Sequence, residues 1–228
     1  AHACRLAAPR TDVEGDPPLS REQRRNLQRL LIQRGYDVGE PDGAVGAKTR
    51  AAIRAVLFDL DGTLLDTAPD LIRALNHVRN TQGRADVPYE IARTQVSHGS
   101  SGLIRLGFPD LSGEPLEQLR LQLLDYYSQN LCAGTTLFEG CQTVLDALDA
   151  RAMRWGIVTN KPGFLTTPLL ATLGLDRHAG CVISGDTLPQ RQPHPAPLLL
   201  AAAQLSLPAH QCLYVGDAER DVQSARAA

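Results

Sequence analysis

The stretch AVLFDLDGT, residues 55–63, runs from four consecutive apolar residues into two carboxylates, Asp59 and Asp61, and an Asp-Gly turn. A short apolar run that ends in polar residues is the pattern of a central parallel strand covered on both faces, and open α/β sheets hold ligands beyond the carboxyl ends of such strands. An EF-hand calcium loop does not fit, because Leu64 stands where glycine is needed and Asp70 where a bidentate glutamate is needed. Immediately upstream, TRAAIRAV, residues 49–56, reads as a short helix capped by Thr49. A helix and a strand therefore meet with nothing between them, against the usual connection of about two to six residues. Arg54 onward is assigned to the strand, since losing a central strand costs more than fraying a helix end. Residues 49–56 then read as a junction at which two similar strings, AAIRA and IRAV, are overlaid.

Downstream the pattern repeats. Trp155–Val158 leads into Thr159-Asn160-Lys161, Gly180–Ile183 into Ser184-Gly185-Asp186, and Gln211–Val215 into Gly216-Asp217 and then Asp221. Helical patterns separate these runs, through Val144, Leu145 and Leu148, then Leu169, Leu170 and Leu173, then Leu198 to Leu205. The βαβ alternation predicts an α/β fold with a doubly wound parallel sheet, its core formed by residues 54–65 and 138–228. Residues 66–137 read as a helical insert, with Leu71, Leu75 and Val78 on one face and Leu116, Leu119, Leu123 and Tyr127 on another. Within it, Val96–Gly102 reads as a Gly/Ser-rich loop able to wrap an anion, with His98, Gly99 and Ser100 as candidate contacts. Tyr126, Tyr127 and Trp155 read as packing residues.

Residues 1–18, with Pro17-Pro18 and no periodicity, read as a disordered tail. Residues 19–55 read as a small helical module: Ser20 and Gln23 form a capping box, Leu27, Leu30 and Leu31 share a face, and Gly35 supplies a C-terminal cap. A net charge of −2 over 228 residues offers no basic field for nucleic acid or anionic lipid. No apolar run approaches the ~20 residues that cross a bilayer. The five cysteines are scattered without any C-x-x-C pair, the usage of reduced thiols, and AHACRLAAPR shows no secretory apolar core, so a cytoplasmic setting is expected.

FDLDGTLLDT, VTNKP and VGDAERD, in that order and spacing, resemble the haloacid dehalogenase superfamily across residues 54–228, and within it the small-molecule phosphatases similar to phosphoglycolate and N-acetylmuramic acid 6-phosphate phosphatases. The resemblance implies a Mg²⁺-dependent phosphomonoesterase. Asp59 would be the nucleophile and a metal ligand, Asp61 the acid and base with its backbone carbonyl on the metal, Asp217 a further ligand and Asp221 its support. Thr159 and Asn160 would donate to phosphate oxygens, and the 66–137 insert would be a cap that closes over a small phosphorylated substrate held in part by His98, Gly99, Ser100 and Lys161. The family's lysine before proline is replaced here by Gln192, a neutral amide, which implies slow turnover or none. The family fold also continues to a further strand beyond the helix that begins near Asp221, so the Gly216-Asp217 strand is expected to lie at an edge. The order of elements in residues 19–55 resembles the peptidoglycan-binding module of cell-wall hydrolases, which implies contact with wall glycan or peptide. That leaves open a periplasmic or wall-associated setting and a binding module carrying an impaired phosphatase fold.

Overall fold

The computed structural model describes residues 53–228. The expectations for the tail, for most of the small helical module and for the helix at Thr49 lie outside the described residues. Strand β1 is Ala55–Phe58, buried along its whole length. It pairs in parallel with β4 (Arg154–Val158) on one side and with β6 (Cys212–Val215) on the other, and β4 pairs in parallel with β5 (Val182–Ile183), giving the order β5-β4-β1-β6. Arg54 precedes the strand proper, but its amide already donates to the Gln211 carbonyl at 2.8 Å. The assignment of this stretch to the sheet therefore holds from Ala55, with the ladder entered one residue earlier.

The two-residue period of β1 sorts its side chains between two helical layers. Val56 and Phe58 join Trp155 and Ile157 against helices α5 (Cys141–Ala150) and α6 (Gly163–Leu173), through Leu145, Leu169, Leu170 and Leu173. Ala55 and Leu57 join Val158 and Ile183 on the opposite face, against Leu198 and Ala201 of α7 (Ala196–Gln204). Each fully buried side chain of this kind contributes roughly 1.5–3 kcal/mol relative to exposure, which is why a run with no polar face forms the centre of the sheet. One expected core residue of α5 differs: Val144 is exposed, and only its neighbour Leu145 is buried. Strand β6 pairs only with β1 among the described residues, so it is an edge, as expected, and Val215 is exposed there.

Between β2 (Leu65–Asp66) and β3 (Thr136–Leu137), which pair antiparallel, the chain runs through four helices. These are α1 (Ala68–Thr81), α2 (Tyr89–Arg93), α3 (Gly99–Gly107) and α4 (Gly113–Gln129). Leu71, Leu75 and Val78 of α1 meet Leu103 and Ile104 of α3 and Leu119, Leu123 and Tyr127 of α4 in one hydrophobic cluster, which Leu165 of α6 enters from the core side. The buried Asp70 ties the returning chain to α1 by accepting from the Thr135 amide at 2.9 Å and hydroxyl at 2.7 Å. Val96–Gly102 is not a loop: Val96–His98 is a 3₁₀ turn, Gly99 takes a left-handed φ of 64°, and α3 begins there. Gly and Ser lower helix propensity, and the tertiary packing of Leu103 and Ile104 overrides it. No helix among the described residues is long and apolar enough to cross a membrane. Helix α8 (Glu219–Ala227) follows β6.

Candidate active site

The carboxyl ends of β1, β4 and β6 converge on a cavity of about 260 Å³ covered by the helical insert. Asp59 follows β1 directly and is 2% exposed, while Asp217 and Asp221 come from the turn and first helical residues after β6. One ligand atom from each of these three carboxylates lies within 4.8 Å of the others. Two glycines make that approach possible. Gly62 has φ +88°, and a Cβ there would sit 2.6 Å from Asp217 Oδ2; a Cβ at Gly216 would sit 2.5 Å from the Asp221 carboxylate.

Burial pushes the Asp59 carboxyl up to about 7, and the charges of Asp221 and Asp61 push in the same direction, against the Leu60 amide and Thr159. Burial also raises Asp221, which caps α8 by accepting from the Ala218 amide at 2.9 Å. Asp59 Oδ1 is buried without a hydrogen-bond partner. Clustered, partly unsatisfied carboxylate oxygens are what a hard divalent cation takes, so the donor set fits a site for Mg²⁺. The Asp61 carboxylate lies outside this group. Its Oδ1 accepts from the Thr67 hydroxyl at 2.7 Å and from Lys161 Nζ at 3.1 Å.

This arrangement agrees with the comparisons. Residues 56–228 match the family described as haloacid dehalogenase-like hydrolase. The chain belongs to that family. A phosphoglycolate phosphatase of Xanthomonas campestris pv. campestris is 43% identical over 175 residues, covering 77% of this chain and 79% of that protein. An N-acetylmuramic acid 6-phosphate phosphatase of Pseudomonas aeruginosa is 35% identical over 178 residues, 78% of this chain and 79% of that one. The crystal structure titled as a predicted phosphoglycolate phosphatase from Haemophilus somnus 129PT superposes with a TM-score of 0.70 at 28% identity, covering 78% of this chain and 82% of that chain. Residues 20–56 match a family described as "Putative peptidoglycan binding domain". The chain is thus a phosphatase of the haloacid dehalogenase-like family, a phosphoric monoester hydrolase, preceded by a segment similar to a wall-binding module.

Within this hydrolase the cavity brings Asp59, Asp61, Thr159, Asn160, Lys161, His98, Gly99 and Ser100 together. His98 is exposed there. Lys161, which lines the cavity, is buried; burial by itself would lower its ammonium, but the facing Asp61 carboxylate raises it overall. Its Nζ also donates to the Tyr127 hydroxyl at 3.0 Å. The Asn160 amide is engaged by the Gln192 backbone, donating to the Gln192 carbonyl at 3.1 Å and accepting from its N–H at 3.1 Å. Gln192 itself is buried but does not line the cavity: its Nε2 donates to the Tyr214 hydroxyl and its Oε1 has no partner.

Four side chains at the site were not legible as site residues in the sequence. Tyr127 was expected only to pack, and its ring does, yet its hydroxyl holds Lys161. Ser97 donates to Asp217 Oδ2 at 2.5 Å, carrying the insert onto the acidic cluster. Arg220 donates through Nη1 to the Ser97 carbonyl at 2.7 Å and brings Nη2 to 3.8 Å from Asp59 Oδ2. Arg120 of α4 reaches Ser100 Oγ at 3.3 Å while pairing with Glu117. The GDAERD string did carry a signal for Arg220, since a residue one position before Asp221 shares the first turn of α8; the other three depend on how the insert closes.

Proposed function

We propose that this chain hydrolyses a small phosphate monoester that also bears a carboxylate, of which phosphoglycolate is the smallest candidate, with Mg²⁺ bound by Asp59, Asp217 and Asp221 and the Asp61 backbone carbonyl. The observation that carries the reading is the buried Asp59, with Oδ1 unpartnered, opening onto a cavity that Lys161, Arg120, Arg191 and Arg220 also line. Even with Lys161 paired to Asp61 and Arg120 to Glu117, the four cationic side chains that line this space of about 260 Å³ outnumber its two carboxylates, which suits a compact polyanion better than a neutral ligand. The bound cation offsets the repulsion between the anionic ester and the site's carboxylates.

The chain's own residues do the rest. An Asp59 carboxylate oxygen attacks phosphorus, an Asp59–phosphoryl bond forms, and the bond to the ester oxygen breaks. Asp61, fixed by Thr67 and Lys161, hands a proton to the leaving oxygen and later takes one from the water that hydrolyses the aspartyl-phosphate. Thr159 donates to the phosphoryl group, and the free N–H of the Asn160 amide can do the same while its other contacts go to Gln192. The insert, latched by Ser97 on Asp217, excludes bulk water. The first turn of α3, with Ser100 and His98 beside it, and Arg120 stand where the organic part of the substrate would lie.

A second reading keeps the same chemistry and changes the substrate. N-acetylmuramic acid 6-phosphate also pairs a phosphate with a carboxylate, and the match of residues 20–56 to a wall-binding family favours a wall-derived ligand. The test is phosphate release from phosphoglycolate, N-acetylmuramic acid 6-phosphate and glucose 6-phosphate, with Mg²⁺ and with EDTA. Metal-dependent turnover of an acid-bearing ester over glucose 6-phosphate supports the proposal. No metal-dependent release from any of the three, or no preference against glucose 6-phosphate, refutes it.

A further inference from the structure

Among the cations around the cavity, Arg220 alone combines a short distance to Asp59 with an unused buried donor. Its Nη2 lies 3.8 Å from Asp59 Oδ2, too far for a hydrogen bond, and its Nε is buried with no partner. Nη1 is spent on the Ser97 carbonyl at 2.7 Å, which ties the guanidinium to the insert. An unpaired buried donor costs on the order of 1–3 kcal/mol, a cost that a bound acceptor would relieve. Arg220 lines the cavity, and its Nη2 forms no hydrogen bond with Asp59 at that distance, so the guanidinium keeps donor capacity for an anionic group bound beside Asp59.

The other cations are committed or screened. Lys161 Nζ contacts both Asp61 oxygens and the Tyr127 hydroxyl. Arg120 gives Nε and Nη2 to Glu117 and Nη1 to Ser100. Arg191 is exposed, where solvent screens its charge. Gln192 is neutral, and its Nε2 is turned to Tyr214.

Resting on the function proposed above, we propose that Arg220 is a catalytic residue: its guanidinium donates to the non-bridging oxygens of the transferring phosphoryl group and supplies the positive charge that Gln192 lacks. Arg220 neither gains nor loses a proton. The Asp59–phosphorus bond forms and the ester bond breaks as described, and the guanidinium fork bonds the phosphoryl oxygens throughout. Because Nη1 is held by the Ser97 carbonyl, the charge is aimed only when the insert is seated on the core.

The test uses the full chain and its Arg220→Ala, Gln192→Lys and doubly substituted forms. Expected for Arg220→Ala is a fall of about 10²–10³-fold in kcat on phosphoglycolate with Mg²⁺. Guanidinium chloride at non-denaturing concentration partly restores it, and Gln192→Lys restores the Arg220→Ala background by a larger factor than it improves the parent. Arg220→Ala turning over within about threefold of the parent overturns the proposal, as does a loss that neither guanidinium nor the introduced lysine relieves. A calorimetric titration of orthophosphate into metal-free protein in EDTA separates this from failure of the function itself. If no ester is hydrolysed, weaker orthophosphate binding by Arg220→Ala than by the parent still supports the assignment, and equal or absent binding refutes it.

Discussion

Replacing Asp59 by Asn keeps the shape of the side chain and removes the charge that β1 buries. With the carboxyl moved from 3.8 to about 7, the folded protein without metal carries a burden that the unfolded chain does not. The sign follows from linkage: a folded value raised above the unfolded one gives full stability below about pH 4, and that stability is lost as pH rises through about 7. The total is about 4 kcal/mol at pH 8 and between about 1 and 2 kcal/mol at pH 5, at roughly 1.4 kcal/mol for each pH unit traversed. Arg220, at 3.8 Å, is too distant to cancel it by a hydrogen bond. Asp59→Asn is therefore expected to stabilise the metal-free protein by about 2–3 kcal/mol more at pH 8 than at pH 5. Urea unfolding of both forms in EDTA at the two pH values measures this difference, and Mg²⁺ should then raise the parent's midpoint at pH 8 while leaving the variant's nearly unmoved. Equal effects of the substitution at pH 5 and pH 8, within about 1 kcal/mol, would refute the claim that an uncompensated carboxylate is buried here.

Gly62→Ala places a Cβ 2.6 Å from Asp217 Oδ2 at a φ of +88°, so, with Asp217 as the proposed ligand, Mg²⁺ affinity by calorimetry should fall at least about tenfold. Lys161→Gln removes the ammonium between Asp61 and Tyr127 and should cost about 2–3 kcal/mol in urea unfolding, less than for a fully buried pair because Asp61 keeps a solvent face. Burial, with Cys212 beside it, pushes the Cys181 thiol up to about 11, so iodoacetamide at pH 8 should leave Cys181 unlabelled in the folded protein and label it in urea. Labelling of Cys181 at the rate of an exposed thiol would contradict its place under α7.

The strands and the acidic cluster were legible because each rests on local pattern. Val56 to Phe58 are buried on both faces, Asp59 and Asp217 follow the ends of strands that the sheet sets side by side, and Asp221, named with them by the family motif, lies in the first turn of α8. What escaped the sequence depends on contacts between distant segments. Ser97 and Arg220 are 123 positions apart and meet only because Leu165 and the cluster of α1, α3 and α4 seat the insert on the core. Tyr127 was half legible: apolar periodicity gives its buried ring but says nothing about where the hydroxyl ends. The Gly/Ser run before Leu103 concealed a helix start, since composition favours a loop and only packing decides otherwise. Gln192 stood out as a departure, yet its partner, the Tyr214 hydroxyl, and the approach of the Arg220 guanidinium to Asp59 could be seen only in three dimensions.

The central claim is that Asp59 attacks phosphorus. Mixing the full chain with Mg²⁺ and excess phosphoglycolate, quenching in acid within a turnover, and mapping peptides by mass spectrometry tests it directly. The account predicts a peptide spanning Asp59 that carries the mass of one phosphoryl group, absent from Asp59→Asn and from samples made in EDTA. Steady phosphate release with no phosphorylated Asp59 peptide at any quench time, or undiminished release by Asp59→Asn, would contradict it.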